Sequence, residues 1–306
     1  VTIRFSPLVR DALDNGYPVV ALETSLVTHA LPHSRNLEAT LAAQEQLLAG
    51  GVIPATMGVV GGDAVVGLSD DELAQLADDR SARRVSIRDL PIVETKGLNG
   101  GASLAATMHL AHRAGIQVCA TTGLGGVHRA SAWTNPLQES SDLTALSGHP
   151  VVLVASGVRP MLDLPATLER LETLSVPVLG YRTNGFPGFY VADSGYPVDY
   201  RVETPGEIAD IARARDELGL QQALLVANPI SSELEVRDYE ERLGEAAEIA
   251  ARYAAGGEDD TQVLLVSLEE ATGGEIWQAN TEIYRRNVSL AAQVAKALAT
   301  TPRYTD

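Results

Sequence analysis

A single cysteine, Cys119, is all that the 306 residues contain. That excludes an internal disulfide and a cysteine-rich metal cage, and it suits a reducing cytoplasm. Lysine is almost as scarce: of 23 basic residues only Lys96 and Lys296 are lysines, and the rest are arginines. A mechanism through a lysine imine therefore has two candidate side-chain amines. Positive charge is outweighed altogether, with 23 basic against 40 acidic side chains and a formal charge of −17. A face that coats nucleic-acid phosphates is not expected from such a chain, although a local cationic pocket for one phosphorylated small molecule is compatible with it. No apolar run approaches the roughly 18 residues of a membrane span, and the opening Val1-Thr2-Ile3-Arg4-Phe5-Ser6 lacks signal-peptide architecture. What is present is an ordinary globular mix, 45% hydrophobic and 21% charged, sufficient for a full core. The expectation is a cytoplasmic protein with no nucleic-acid or membrane partner.

Apolar β-rich runs alternate with helical periodicity along the chain. Residues 18–26 (PVVALETSL) read as a buried strand running into a polar tip, 35–49 as a helix closed by Gly50-Gly51, and 52–60 as a strand ended by Gly61-Gly62. Ser69-Asp70-Asp71-Glu72 carries the N-cap and the glutamate of a capping box. Residues 102–114 read as a helix, 115–122 as a strand, and 123–129 (GLGGVHR) as a glycine-rich turn. Further strands are expected at 150–155, 176–181 and 223–227, and helices at 160–173, 205–217, 236–254 and 279–299. The acidic stretch 233–260 reads as a solvated helix face plus loop. The alternation predicts an α/β fold of three layers, α/β/α, with a mainly parallel central sheet. No Pro/Ser linker divides the chain, so residues 1–306 read as a single domain.

Ligands of such sheets gather at the carboxyl ends of the strands, which makes polar residues at strand tips the first candidates. Glu23-Thr24-Ser25 follows the apolar run Val19-Val20-Ala21-Leu22. A carboxylate there needs either a partner or a function, so Glu23 reads as an acid/base or as a structural hydrogen-bonded group. In the 123–129 turn, glycines let the backbone approach an anion that His128 and Arg129 would neutralise; a plain tight turn is the alternative. It is neither a nucleotide phosphate loop nor a complete dinucleotide fingerprint. Ala155-Ser156-Gly157-Val158-Arg159-Pro160 reads as a strand end breaking into a helix with Pro160 at its first position, leaving Arg159 beside unpaired backbone amides. Asn228-Pro229 offers an amide for a substrate hydroxyl, or simply a turn. His109 and His112 have helical i,i+3 spacing but no supporting carboxylate motif for a metal. A G-x-S-x-G nucleophile elbow is absent.

At these same tips the sequence resembles the pseudouridine-5′-phosphate glycosidase family. The residues that carry the resemblance run in order from Val19-Val20-Ala21-Leu22-Glu23-Thr24-Ser25 and His29-Ala30-Leu31-Pro32 through Gly51-Val52-Ile53-Pro54-Ala55-Thr56 and Ser86-Ile87-Arg88-Asp89-Leu90-Pro91. They continue with Gly123-Leu124-Gly125-Gly126-Val127-His128-Arg129, Leu162-Asp163-Leu164, Gly180-Tyr181, Val226-Ala227-Asn228-Pro229-Ile230 and Thr272-Gly273-Gly274. The resemblance implies a homotrimer of α/β/α domains acting on a C–C glycosidic bond to ribose 5-phosphate, with no organic cofactor. It further implies ring opening, an imine between C1′ and a lysine, and proton transfer by a glutamate. In that scheme Glu23 is the glutamate, His128 the histidine of the glycine-rich loop and Leu104 a substrate contact. Ser140-Ser141-Asp142 is the substrate-contact triplet and Asn280 the active-site asparagine.

Three departures bear on function. Arg159 stands at the nucleophilic lysine and Arg84 at a substrate-binding lysine. Between Thr134 and Asp142 the chain is longer than the family pattern, and the metal-binding aspartate is replaced, with Gln138 or Glu139 nearest. Asp142 with a substrate phosphate is then the group to hold a Mn or Mg ion through water. A guanidinium stays protonated and delocalised, so Arg159 cannot form the imine, yet it can bind phosphate or sugar oxygens bidentately. Three functions follow. The first is a C-glycosynthase of specialised, antibiotic-type metabolism joining ribose 5-phosphate to an aromatic acceptor, with Glu23 as acid/base and Arg84, His128, Arg129, Asp142 and Asn228 arranging the sugar phosphate. The second is a pseudouridine-5′-phosphate glycosidase in which Lys96 replaces the lost amine for a nucleobase substrate. The third is an inactive sugar-phosphate-binding homologue.

Overall fold

The runs Val19–Leu22, Val118–Ala120, Val152–Ala155 and Leu224–Ala227 contain no polar residue except the thiol of Cys119, and each is a strand buried along its whole length. Parallel strands covered by helices on both faces require this. The computed structural model describes residues 3–29, 33–129, 138–236, 238–254 and 275–299. The first half comprises β1 (Ile3–Phe5), α1 (Pro7–Asp14), β2 (Val19–Leu22), α2 (Ser25–His29), α3 (His33–Ala49), β3 (Ile53–Val60), β4 (Asp63–Val66), α4 (Asp70–Asp78), β5 (Arg83–Val85), α5 (Leu90–Lys96), β6 (Gly100–Ala102), α6 (Leu104–Ala114), β7 (Val118–Ala120) and β8 (Val127–His128). The second half comprises α7 (Ser141–Gly148), β9 (Val152–Ala155), β10 (Leu162–Asp163), α8 (Leu164–Thr173), β11 (Val178–Tyr181), β12 (Tyr200–Val202), α9 (Pro205–Glu217), β13 (Leu224–Ala227), α10 (Tyr239–Ala254) and α11 (Glu275–Ala299).

Among the described residues eleven strands form one sheet in the order β1-β4-β3-β2-β7-β9-β13-β11-β12, with β6 and then β5 branching from β3. All its pairings are parallel except β3 with β4 and with β6. Side chains alternate between two cores. Val19, Ala21, Cys119, Leu153 and Leu225 face one packed by α1, α6, α7 and α8. Val20, Leu22, Val118, Val154 and Val226 face the other, packed by α3, α9 and α11. This is the expected three-layer α/β/α arrangement with a mainly parallel sheet.

Local signals place several elements correctly and misplace others. Ser69 caps α4 in a full capping box with Glu72. The helix expected from residue 102 begins at Leu104, because Ser103 accepts a hydrogen bond from the Ala106 amide while Ala102 ends β6. The strand expected over 18–26 ends at Leu22, and Ser25 opens α2. No helix starts at Pro160. The helix begins at Leu164, capped by the Asp163 side chain on the Ala166 amide, and residues 162–163 pair antiparallel with β8 instead. Of the family-like motifs, residues 30–32 and 272–274 lie outside the described residues, as do Thr134 and the acidic stretch beyond residue 254. No helix among the described residues is long and apolar enough to cross a membrane.

Candidate active site

Parallel register brings four polar residues to one edge of the sheet, since Glu23, Thr121, Ser156 and Asn228 each follow directly on a central strand. Glu23 is 3% exposed. Its Oε1 accepts from Thr121 Oγ1 at 2.5 Å and its Oε2 from Ser25 Oγ at 2.9 Å. Arg159, reached through the turn after β9, places Nη2 3.6 Å from Glu23 Oε1. Its Nε donates to the Gly123 carbonyl at 3.1 Å, whereas Nη2 is buried without a hydrogen-bond partner. Arg159 thus owes its place to the Gly123 turn rather than to a helix N-terminus. A charged donor and a carboxylate converge there, and the two N–H groups of Nη2 have no acceptor among the described residues. The carboxylate is felt by buried neighbours: burial first, and Glu23 second, push the Cys119 thiol up to about 12 and raise Tyr284 above the ordinary phenol range.

Asp142 is not placed as a metal ligand. It is 1% exposed, and its Oδ1 accepts from the Ala105 amide at 3.1 Å and its Oδ2 from the Gly125 amide at 2.9 Å. The buried carboxylate pins the glycine-rich turn to the first turn of α6, where the helix dipole favours negative charge. Glu139 forms a two-pronged pair with Arg170, at 2.9 and 3.1 Å. Gln138 is exposed and gives its carbonyl to the His128 amide. No three His, Cys, Asp or Glu groups among the described residues cluster to hold a metal. The described residues therefore do not fit the Mn or Mg ion expected at Asp142.

The 138–142 segment joins both candidate phosphate-binding flanks. Ser140 donates its amide to the Gly126 carbonyl and caps α7 by accepting from the Asp142 amide. Ser141 Oγ lies 2.9 Å from Ser86 Oγ, two residues past the exposed Arg84. Arg84 sits on β5 opposite Gly101 of β6, and β6 is tied to the Glu23 tip because Thr24 Oγ1 accepts from the Ala102 amide at 3.0 Å. On the other flank β8 carries the half-buried His128, whose imidazole pKa is lowered by burial, and directly after the strand comes Arg129, whose Nε donates to the Leu162 carbonyl. The Leu104 side chain is buried, so that position offers a ligand only its backbone at the start of α6.

Both candidate asparagines are engaged by other side chains of the protein. Asn228 does not present its amide to solvent; Nδ2 donates to Asn287 Oδ1 at 2.9 Å. Asn280 is half-buried and accepts from the Tyr190 hydroxyl at 3.0 Å. Two turns further along α11, Asn287 is fully buried and its Nδ2 donates to the Thr121 carbonyl at 2.8 Å and the Thr122 carbonyl at 3.3 Å. Ser156 donates to the Asn228 carbonyl at 2.7 Å, completing the lacing of three strand tips. Sequence reading missed Asn287; its one signal was an amide on the apolar face of a long helix. Lys96 ends α5, exposed beside the Gly61-Gly62 turn, whereas Glu23 and Arg159 stand over β2 and β9.

Residues 8–297 match the family model described as indigoidine synthase A like protein. A protein named pseudouridine-5′-phosphate glycosidase from Saccharopolyspora erythraea is 50% identical over 95% of this chain and 96% of its own. One of the same name from Symbiobacterium thermophilum is 41% identical over 97% of each. Among solved structures, an indigoidine synthase A-like protein from Thermotoga maritima superposes with a TM-score of 0.86 at 35% identity, covering 98% of this chain and 97% of that one. The prealnumycin C-glycosynthase AlnA, in complex with ribulose 5-phosphate, superposes with a TM-score of 0.86 at 31% identity over 97% of each chain.

Proposed function

The chain belongs to the indigoidine synthase A-like family, and on that premise we propose that it is a C-glycosynthase joining C1 of ribose 5-phosphate to an electron-rich aromatic carbon without a lysine imine. The observation that carries this reading is the Arg159 guanidinium, held by Gly123 with Nη2 beside Glu23 and without a hydrogen-bond partner. The open-chain sugar presents an aldehyde oxygen, and a preorganised cation aimed at it stabilises the charge that develops when C1 is attacked. Glu23 supplies the proton that this oxygen takes up and removes the one that the attacking ring carbon must lose. When the sugar hydroxyl closes again on C1, O1 leaves as water with two hydrogens, the one lost by the ring carbon and the proton of the closing hydroxyl. Arg84, Ser141, His128 and Arg129, on the two flanks of the 138–142 segment, receive the phosphate. Without an amine to act as electron sink, the acceptor must be nucleophilic by itself, which points to a phenolic ring.

A second reading, cleavage of pseudouridine 5′-phosphate to uracil and ribose 5-phosphate, is favoured by the names of the Saccharopolyspora and Symbiobacterium relatives. One experiment separates the two. The protein is incubated with ribose 5-phosphate and phloroglucinol, and separately with pseudouridine 5′-phosphate, and borohydride-treated protein is analysed by mass spectrometry. A C-ribosylated phenol with no reduced sugar adduct is the expected result. Uracil release without synthesis returns the protein to the glycosidase reading, and an adduct on Lys96 overturns imine-free chemistry. Neither product leaves the inactive sugar-phosphate-binding homologue.

A further inference from the structure

Phe189 adopts φ = +68°, a conformation rare for a bulky side chain. It forms the centre of a three-residue turn closed by the Tyr190 amide on the Gly188 carbonyl at 2.9 Å. With positive φ this is the rarer, strained form of the γ-turn. Strain of this kind, of order 1–3 kcal/mol, persists only where the surroundings over-determine it, and it concentrates at functional sites. The surroundings here are those of Arg159. The Phe189 ring lies flush on Gly123, where any Cβ would overlap it. Gly123 is the residue whose carbonyl receives Arg159 Nε. On the other side of the same turn, Gly157 pairs with Gly188, and a Cβ at Gly157 would overlap the Pro187 carbonyl. Glycine at both positions lets the strained segment close on the backbone that frames Arg159.

Behind the ring the contact continues. Phe189 packs edge-on against Tyr190, with centroids 4.7 Å apart, and the Tyr190 hydroxyl donates to Asn280. Tyr190 is 1% and Phe189 4% exposed. A contiguous path thus runs from Asn280 on α11 through two buried rings and the Gly123 carbonyl to the guanidinium beside Glu23.

We propose that Phe189 is a positioning residue for Arg159: its ring, driven onto Gly123 by the strained turn, fixes the carbonyl that aims Nη2 at the sugar oxygen. The inference rests on the reading of Arg159 as a sugar-binding group. Its test is a double-mutant cycle read by calorimetric binding of ribose 5-phosphate, which needs no acceptor. Removing a charge-assisted contact, R159Q should weaken binding about 10- to 100-fold. Phe189→Leu, apolar and buried but without a flat ring, should weaken it about 3- to 10-fold in the parent and leave R159Q unchanged, because two residues acting through one contact do not add. Phe189→Tyr, which keeps the ring face, should restore parental affinity. If Phe189→Leu does not fold, Phe189→Met replaces it in the same cycle. Equal losses in both backgrounds, or no loss in the parent, overturn the proposal. Unchanged binding by R159Q instead overturns the reading of Arg159 itself.

Discussion

A carboxylate as enclosed as Glu23 is tolerated because two hydroxyls donate to it and a guanidinium stands 3.6 Å away. Those contacts orient both oxygens at the tip of β2, the geometry that a proton-transferring group requires. The flanking nucleophile is kept out of the chemistry: with its pKa pushed up to about 12, the Cys119 thiol stays protonated at neutral pH. Replacing the carboxylate with an amide of the same shape removes proton transfer and leaves the packing. Glu23→Gln should lower turnover by about two to four orders of magnitude while ribose 5-phosphate still binds. Initial rates paired with calorimetry check this, and near-parental turnover in a folded variant removes Glu23 from the mechanism.

At the scale of one element, α6 carries opposite electrostatics at its two ends. Its first turn is tied to the buried Asp142 carboxylate, which stabilises the positive end of the helix. Its last turns carry His109 and His112 against His149, with His109 Nδ1 3.0 Å from His149 Nε2 and His149 Nδ1 2.9 Å from the Ala145 carbonyl. Burial, then the neighbouring His149 and Arg113, lower the pKa of His109 and of His112; Arg215 adds to the lowering at His112 and Asp216 partly opposes it. The folded state therefore prefers neutral imidazoles, while the unfolded chain takes up protons at the usual histidine pKa of about 6.5. This contribution is fully present above that value and is lost as pH falls through the lowered folded pKa values. Urea midpoints should drop from pH 7 to 5.5, and His109→Gln should flatten the drop over that interval. An unchanged slope in the variant shows that acid acts elsewhere.

Over the whole molecule, α11 packs across the second core and reaches the candidate active-site edge through Asn287. One amide holds the carbonyls after β7 and the Asn228 side chain after β13. Asn287→Leu, of similar size, would strand these buried groups at about 1–3 kcal/mol each. A loss of about 3 kcal/mol is expected in the urea unfolding free energy, together with weaker ribose 5-phosphate binding, because Thr121 and hence Glu23 lose their anchor. Unaltered stability would show that water or a shifted Asn228 takes over the contacts.

What the sequence by itself determined was local and periodic. The four apolar runs of the central strands could only be buried, Ser69 and Glu72 could cap a helix without help from the rest of the chain, and Glu23 at the end of such a run marked the candidate edge. Scarcity of lysine and arginine at position 159 already argued against an imine. Tertiary structure alone decided which polar groups meet. Pro160 carried a sound helix-start signal, yet the pairing of residues 162–163 with β8 and the Asp163 cap moved the helix four residues on. Asp142 read as a metal ligand until two backbone amides, 17 and 37 residues away, took both of its oxygens. Asn287 and Thr121 are 166 residues apart, and the strained turn at Phe189 matters only because it closes on Gly123. Periodicity and capping act over a few residues, and they set where strands and helices form. A buried polar group takes whatever partner the packing of distant segments delivers, and no local pattern records that choice.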